Sequence, residues 1–352
     1  EGTELDMSDK ELPSVSVLIP ARNEDALLED CLHSVLASDY PKLEIIVADD
    51  CSHDATPDII RKFAHDGVRF VACQPPKENW LAKNQTYEQL AHEASGSLLL
   101  FCGVDVRFEP QSIRRLVSSM IHKKKSMLSI MPINQQLHPS PLQAMRYFWE
   151  LAPPRRLFNR PPVLSTCWLI AKDALHDLGM FTGVQRTVVP EAHFARELIK
   201  TDAYTFAHSS LHVGVASVKS FEGQRETLVR MRYPQLHRRP EIVCLIALAE
   251  LTTLLGPFLF VLVGPFAGVP VWMLGAAGMA VLLLIGAYRA VEYVAFPHER
   301  WRVLPLLPVG VLLDVYFMHF SMWKYEFSEV IWKERNVCIP VMHVIPHLPK
   351  ID

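Results

Sequence analysis

The 352 residues carry 35 Lys and Arg against 38 Asp and Glu, a formal net charge of −3, so no global basic field points to a nucleic-acid partner. Half of the residues are hydrophobic and mean hydropathy is +0.14, which is high for a wholly soluble chain. The excess is local: residues 1–235 have an ordinary mixture of charge and apolar character, whereas residues 241–320 are mostly apolar, and the shift marks a domain boundary.

In chain order, Val15–Ile19 is a β-branched, apolar run closed by Pro20, the pattern of a buried parallel strand. Asn23 then stands where a helix cap is expected, before apolar positions at Leu27, Leu28, Cys31, Leu32, Val35 and Leu36 that recur at three and four. A second strand, Leu43–Ala48, ends at Asp49-Asp50, and Thr56-Pro57-Asp58 opens another helix. Strands are expected at Val68–Ala72, Ser97–Cys102 and Ser126–Met131, with helices at Leu81–Ala94 and Pro110–His122. This alternation predicts a doubly wound, mostly parallel α/β sheet, whose ligands bind beyond the carboxyl ends of the strands. Asn23-Glu24, Asp49-Asp50 and Asp105 all fall at such ends.

Seven prolines break up residues 132–162; a strand at Val163–Ala171 and a helix near Glu191–Lys200 follow. The basic stretch Arg225, Arg230, Arg232, Arg238 and Arg239 precedes three apolar runs, at about 242–263, 269–288 and 303–320. Each is long enough to cross a bilayer or nearly so. Positive-inside reasoning places the basic stretch and the N-terminal domain in the cytosol. Charge does not orient the third run, which spans or lies in the interface, so the tail after it has no assigned side. Glu250 and Asp314, the acids inside the first and third runs, read equally as functional groups or as helix-contact residues. Trp323 and Trp332 read as interfacial anchors. The seven cysteines are odd in number and unpatterned, and are read as reduced thiols facing the cytosol. The chain opens at Glu1, which leaves a preceding signal or anchor segment open.

The chemical signal is carboxylates at strand ends. A metal bridging a diphosphate prefers such oxygens, and acids also accept from base and ribose donors. Capping of the next helix is the plain alternative, and for Asp54 the better one.

The stretch Val15-Ser-Val-Leu-Ile-Pro-Ala-Arg-Asn-Glu24 resembles the opening strand and loop of glycosyltransferase family 2. Asp49-Asp-Cys-Ser-His-Asp-Ala-Thr56 is similar to its DDxSxDxT motif, Trp80-Leu-Ala-Lys-Asn84 to its W-x-G-K segment, and Gly103-Val-Asp105 to its DxD region. The resemblance covers about residues 14–240, and implies a GT-A fold over residues 14–220. A basic interfacial segment (221–240), transmembrane helices within 241–323 and a tail (324–352) follow. It implies that Pro20, Asn23 and Glu24 line the nucleoside pocket, that Asp49 and Asp50 hold base and ribose, and that Lys83 approaches the phosphates or base. Asp105 would ligate a divalent cation, Mg2+ or Mn2+.

Two departures stand out. The first DxD acid is Gly103, and the aspartate expected as catalytic base after Glu191 is Ala192. Glu191 or His193 is the expected replacement. A phosphate acceptor, already anionic, would need no base. The QxxRW motif of polymerising members is reduced to Arg232-Tyr233, which disfavours polymer synthesis. Arg232 is expected to meet a phosphate or headgroup. The expectation is a multi-pass membrane enzyme, cytosolic in its catalytic domain. It would move one sugar from a nucleotide-sugar donor, UDP favoured, to a lipid or lipid-linked acceptor by inversion, with no nucleic-acid partner. Transfer to a polyprenyl phosphate and a catalytically impaired nucleotide-sugar-binding scaffold are the alternatives.

Overall fold

The computed structural model describes residues 8–135, 141–151, 161–295 and 307–337. The expected tail before residue 8, the start of the third apolar run and the tail after 337 lie outside them. Strands β1 (Val15–Ala21), β2 (Leu43–Asp49), β3 (Val68–Ala72), β4 (Leu98–Cys102), β6 (Met127–Met131), β8 (Cys167–Ala171) and β9 (Tyr204–His208) form one sheet in the order β3-β2-β1-β4-β8-β6-β9. β1, β2, β3 and β4 are mutually parallel. β8 runs antiparallel to both β4 and β6, so the sheet is mixed rather than wholly parallel.

Period-two alternation splits the strand side chains between two cores. Val15, Val17, Ile19, Leu98, Leu100 and Cys102 face one cluster, while Leu18, Leu99 and Phe101 face the other. Helices α1 (Asp25–Leu36), α2 (Thr56–Lys62) and α4 (Ser112–His122) cover the first face through Leu28, Leu32, Ile60 and Val117. Helices α3 (Ala82–Glu93), α6 (Lys172–Asp177) and α7 (Pro190–Lys200) cover the second. There Phe101 stacks on Trp168, with centroids 4.2 Å apart. A small sheet of β5 (Val106–Phe108), β10 (Val215–Ser217) and β7 (Ile133–Asn134) continues directly from Asp105. β5, β7 and β10 were not foreseen, being too short at two or three residues to show a period, nor was β9, whose Tyr-Thr-Phe-Ala-His run lacks the continuous apolar character of β4.

α5 (Pro141–Leu151) links this α/β body to the C-terminal helices α8 (Phe221–Gln235), α9 (Pro240–Glu250), α10 (Gly256–Val263), α11 (Val271–Ala295) and α12 (Leu307–Phe327). Its Ala144, Met145 and Phe148 pack with Leu254, Tyr288, Val291 and Val311. A π-helical turn, Leu251–Leu255, follows Glu250 and joins α9 to α10. Among the described residues two helical stretches are long and apolar enough to cross a membrane: Pro240–Val263, and Val271–Tyr293, of whose most apolar window only 6% is buried. Leu248, Leu262, Trp272, Leu282 and Leu283 are exposed on them. α12, the third apolar run, instead buries Gly310, Val311, Asp314, Phe317, Met318 and Ser321. It is tied to α8 by hydrogen bonds from Ser321 Oγ to the Val229 carbonyl and from Tyr325 Oη to the Arg230 carbonyl.

Candidate active site

The β1 and β2 loops leave neighbouring strands at the carboxyl edge of the sheet, and the motif residues between them act as ties. The Asn23 amide donates to Ser52 Oγ (2.9 Å), and the His53 amide to Asn23 Oδ1 (2.9 Å). The Glu24 amide donates to Thr56 Oγ1 (2.8 Å). Asp54 takes the Thr56 amide on one oxygen and the Asp25 amide on the other. Asp54 therefore holds two helix starts, as expected of a cap. Asn23 does not cap α1: it sits at φ 48°, and its side chain is spent across the loop. Ser52, Asp54 and Thr56 thus fix the path of residues 23–25, with Glu24, Asp49 and Asp50 at the carboxyl edge of β1 and β2.

Asp49 is buried and accepts the Ser52 amide at 3.1 Å. Buried Asp50 is held from two directions. Arg22 Nη1 donates to its carbonyl (2.6 Å), and Arg335 Nη1 lies 2.5 Å from its Oδ1. Burial pushes the Asp50 carboxyl above its ordinary range and the Arg335 guanidinium pulls it back. Glu24 behaves likewise: burial raises it, and Lys333, 2.5 Å from Oε1, opposes.

Asp105 lies beyond β4, which flanks β1 on the side opposite β2, so Asp49 and Asp105 share one sheet edge. Ser217 Oγ donates to Asp105 Oδ2 at 3.4 Å, and the Val218 amide to the Asp105 carbonyl at 2.9 Å. A Cβ on Gly103 would stand 2.5 Å from Asp105 Oδ1. The glycine in place of the first DxD acid is the space over which the remaining carboxylate folds. Among the described residues no three acids, histidines or cysteines converge in a metal-holding group. One carboxylate facing a diphosphate seat fits a hard cation that takes its other ligands from phosphate and water, and does not fit an all-protein cage.

The Trp80–Asn84 segment builds the opposite wall. Fully buried Asn84 donates through Nδ2 to the carbonyls of Val184 (2.9 Å), Gln185 (3.1 Å) and Thr187 (2.8 Å), anchoring the loop that leads into α7. In the first turn of α7, Glu191 is 0% exposed, and among the described residues neither of its oxygens has a hydrogen-bond partner. Lys83 Nζ stands 4.0 Å from Glu191 Oε2 and 5.0 Å from the centre of the Tyr87 ring. Burial lowers the Lys83 ammonium and Glu191 opposes that shift. His193, two residues on, projects from the other side of the helix, within electrostatic reach of Glu197.

Four cations unite the two walls. Arg146 and Arg230 lie within electrostatic reach of both Lys83 and Lys219, and Lys219 lies within reach of Asp105 and Glu24. Burial pushes the Lys219 ammonium down to about 8; Asp105 opposes, and Arg146 and Arg230 add to the fall. One hollow is lined by Arg146, Ser217, Lys219, Thr227 and Leu228, and a second, which shares Arg146, Thr227 and Leu228, by Met231, Arg232 and Asp314. There Arg232 pairs with Glu250 (3.2 Å) and Asp314 (2.5 Å), so its charge serves a buried triad between α8, α9 and α12.

The sequence reading missed Arg22, Arg146, Lys219, Lys333 and Arg335. Arg22 lies inside the opening motif, and Lys333 and Arg335 follow a tryptophan; the others are isolated cations with no periodic signature. Trp332, expected as a membrane anchor, instead lies under the Arg230 guanidinium, 4.3 Å from ring centre to Cζ.

A sequence profile of glycosyl transferase family 2 matches residues 16–179. The chain is 34% identical over 121 residues to the probable glycosyltransferase YdaM of Bacillus subtilis, covering 33% of this chain and 29% of that protein. It is 38% identical over 58 residues to the GalNAc(5)-diNAcBac-PP-undecaprenol beta-1,3-glucosyltransferase of Campylobacter jejuni, covering 16% and 19%. The matched stretch thus spans less than a third of either relative's own length. In fold, the chain is similar to the mannosyltransferase PcManGT of Pyrobaculum calidifontis, solved in complex with GDP-Man and Mn2+. That likeness has a TM-score of 0.52 and 18% identity, over 88% of this chain and 90% of the other.

Proposed function

Residues 16–179 belong to glycosyltransferase family 2, and from that premise we propose that the chain transfers a single sugar, with inversion, from a nucleotide-sugar donor to a lipid or lipid-linked acceptor at the cytosolic face of a membrane. The observation that supports the reading is a chain of electrostatic neighbours. Lys219 lies within reach of Glu24 and Asp105, and shares Arg146 and Arg230 with Lys83, which stands 4.0 Å from buried Glu191.

In this reading Asn23, Glu24, Asp49 and Asp50 receive the nucleoside, and Lys219 and Arg230 meet the diphosphate. A divalent cation held by Asp105 would supply charge to stabilise the departing nucleoside diphosphate. Glu191 takes the proton of the acceptor hydroxyl. Its oxygens accept no hydrogen bond from the described residues and so are open to an acceptor hydroxyl, with Lys83 4.0 Å away. The passage from Ser217 and Lys219 towards Arg232 and Asp314 would bring the acceptor from the apolar helices, with its chain remaining in lipid. UDP and GDP sugars are both compatible with this pocket, and UDP is favoured by family frequency.

Transfer to a phosphate oxygen is a second reading. Ala192 removes the usual base position, and the cations around the cleft suit an anionic acceptor. Purified protein in bilayer nanodiscs, supplied with radiolabelled UDP- and GDP-sugars and a bacterial lipid extract, tests both. An acid-stable lipid product supports hydroxyl transfer, and an acid-labile, phosphate-linked product supports the second reading. Absence of any transfer or donor hydrolysis would favour the scaffold alternative.

A further inference from the structure

The short strands β11 (Ile331–Trp332) and β12 (Arg335–Asn336) pair antiparallel and follow α12 after three residues. The two residues between them, Lys333 and Glu334, both have positive φ, 46° and 64°. Such turns ordinarily carry Asn or Gly. Here two long side chains occupy them, a strained choice that persists only where surrounding contacts impose it. The contacts of Lys333 reach the loop after β1, some 310 residues away in sequence. The Lys333 ammonium lies 2.5 Å from Glu24 Oε1 and donates to the Asn23 carbonyl at 2.9 Å. Arg22 Nε donates to the Lys333 carbonyl at 2.9 Å. Arg335 is paired with Asp50 at 2.5 Å, and Trp332 supports Arg230, a member of the cation group round the diphosphate seat.

The hairpin therefore occupies the carboxylates that the donor's base and ribose would need. Its cations would be misplaced if they stayed there once a donor arrived, because Glu24 itself lies within electrostatic reach of Asp105 and Lys219, where the diphosphate goes. A diphosphate carries more charge than either carboxylate and accepts a guanidinium bidentately, so a bound diphosphate would compete with Glu24 and Asp50 for both cations. We propose that the Ile331–Asn336 hairpin is a donor-exchanged clamp. Without donor, Lys333 and Arg335 hold Glu24 and Asp50 and cover the nucleoside pocket; with donor, they pass to the diphosphate and release those carboxylates to the nucleoside. The clamp rests on the nucleotide-sugar reading above and adds two donor-binding residues to it.

Exchange has a signature that a purely structural hairpin lacks. In the full-length chain, Lys333→Ala/Arg335→Ala should weaken binding of UDP at least 10-fold. It should leave binding of uridine unchanged or tighter, since the carboxylates are no longer masked. The charge-retaining pair Lys333→Arg/Arg335→Lys should recover most of the UDP affinity. GDP and guanosine are run in parallel, and the pair that the wild-type chain binds is the one compared. Equal loss for nucleotide and nucleoside would make the hairpin a mere support and overturn the clamp, as would unchanged UDP affinity in the alanine variant. Failure of the wild-type chain to bind either nucleotide would instead remove the donor reading, and the clamp with it.

Discussion

Lys83 Nζ and Glu191 Oε2 stand 4.0 Å apart, with Glu191 fully buried and Lys83 23% exposed at its side chain. At that separation and an effective dielectric of 20 the attraction is about 4 kcal/mol before solvent screening. The lysine's contact with water reduces it, yet it remains the strongest compensation the Glu191 charge has, because no hydrogen bond reaches either oxygen. The pair forms because Asn84, the residue after Lys83, locks the loop that precedes Glu191.

Glu191→Gln keeps shape and removes basicity. With a hydroxyl acceptor, kcat should fall by about 10²–10⁴-fold while donor KM changes little. Steady-state transfer assays check this, and an unaltered kcat would remove Glu191 from the base role. His193→Ala, on the other side of the helix, should lose less than about 3-fold.

Gly103→Ala places a methyl group where Asp105 Oδ1 now lies. The carboxylate must rotate, so the Mn2+ or Mg2+ concentration for half-maximal activity should rise several-fold. Thermal stability should change little, since a carboxylate end gives way more easily than backbone. A metal titration identical to wild type would separate Asp105 from the cation.

The Lys219 ammonium, lowered by burial to about 8, sets a pH dependence. Below that value the folded free chain carries the charge that meets the diphosphate; above it the charge is lost. Donor KM should therefore be flat below about pH 8 and rise above it, and Lys219→Arg should abolish the rise. For stability the sign runs the other way. Between about 8 and the ordinary lysine range the unfolded chain binds the extra proton, so this group's contribution to stability increases as pH rises through that window.

Arg232 neutralises two buried acids, Glu250 and Asp314. Removing it leaves both without a counter-charge, so Arg232→Met should destabilise by about 3–5 kcal/mol, visible as a lower Tm in detergent. Glu250→Gln, which leaves the Arg232–Asp314 pair, should cost less. A raised acceptor KM at unchanged Tm in Arg232→Met would instead return this arginine to the headgroup role expected of it.

The residues of the β1 and β2 loops were legible because they sit in two short stretches at fixed spacing. Asn23, Ser52, Asp54 and Thr56 tie those loops, and neighbouring parallel strands bring the stretches together without further information. Asp54 could be read as a cap and Asn23 misread as one, because the same side chain reaches an amide two residues on or one across the loop, and only the fold selects between them. The sheet is mostly parallel, as expected, but the reversed direction of β8 was not legible: an apolar run such as Cys167–Ala171 has the same alternation whichever way it points.

By itself, then, the sequence determined the wound sheet, the acid-lined edge above it and the two long apolar helices, since these depend on period and on local spacing. Tertiary structure alone decided that Lys219, Arg146, Arg230, Lys333 and Arg335 surround that edge and that Arg232 turns away to Glu250 and Asp314. A lone charge has no period, and where its long side chain ends is set by the packing of distant elements, here α5, α8, α12 and a two-residue turn, against the loops of the sheet.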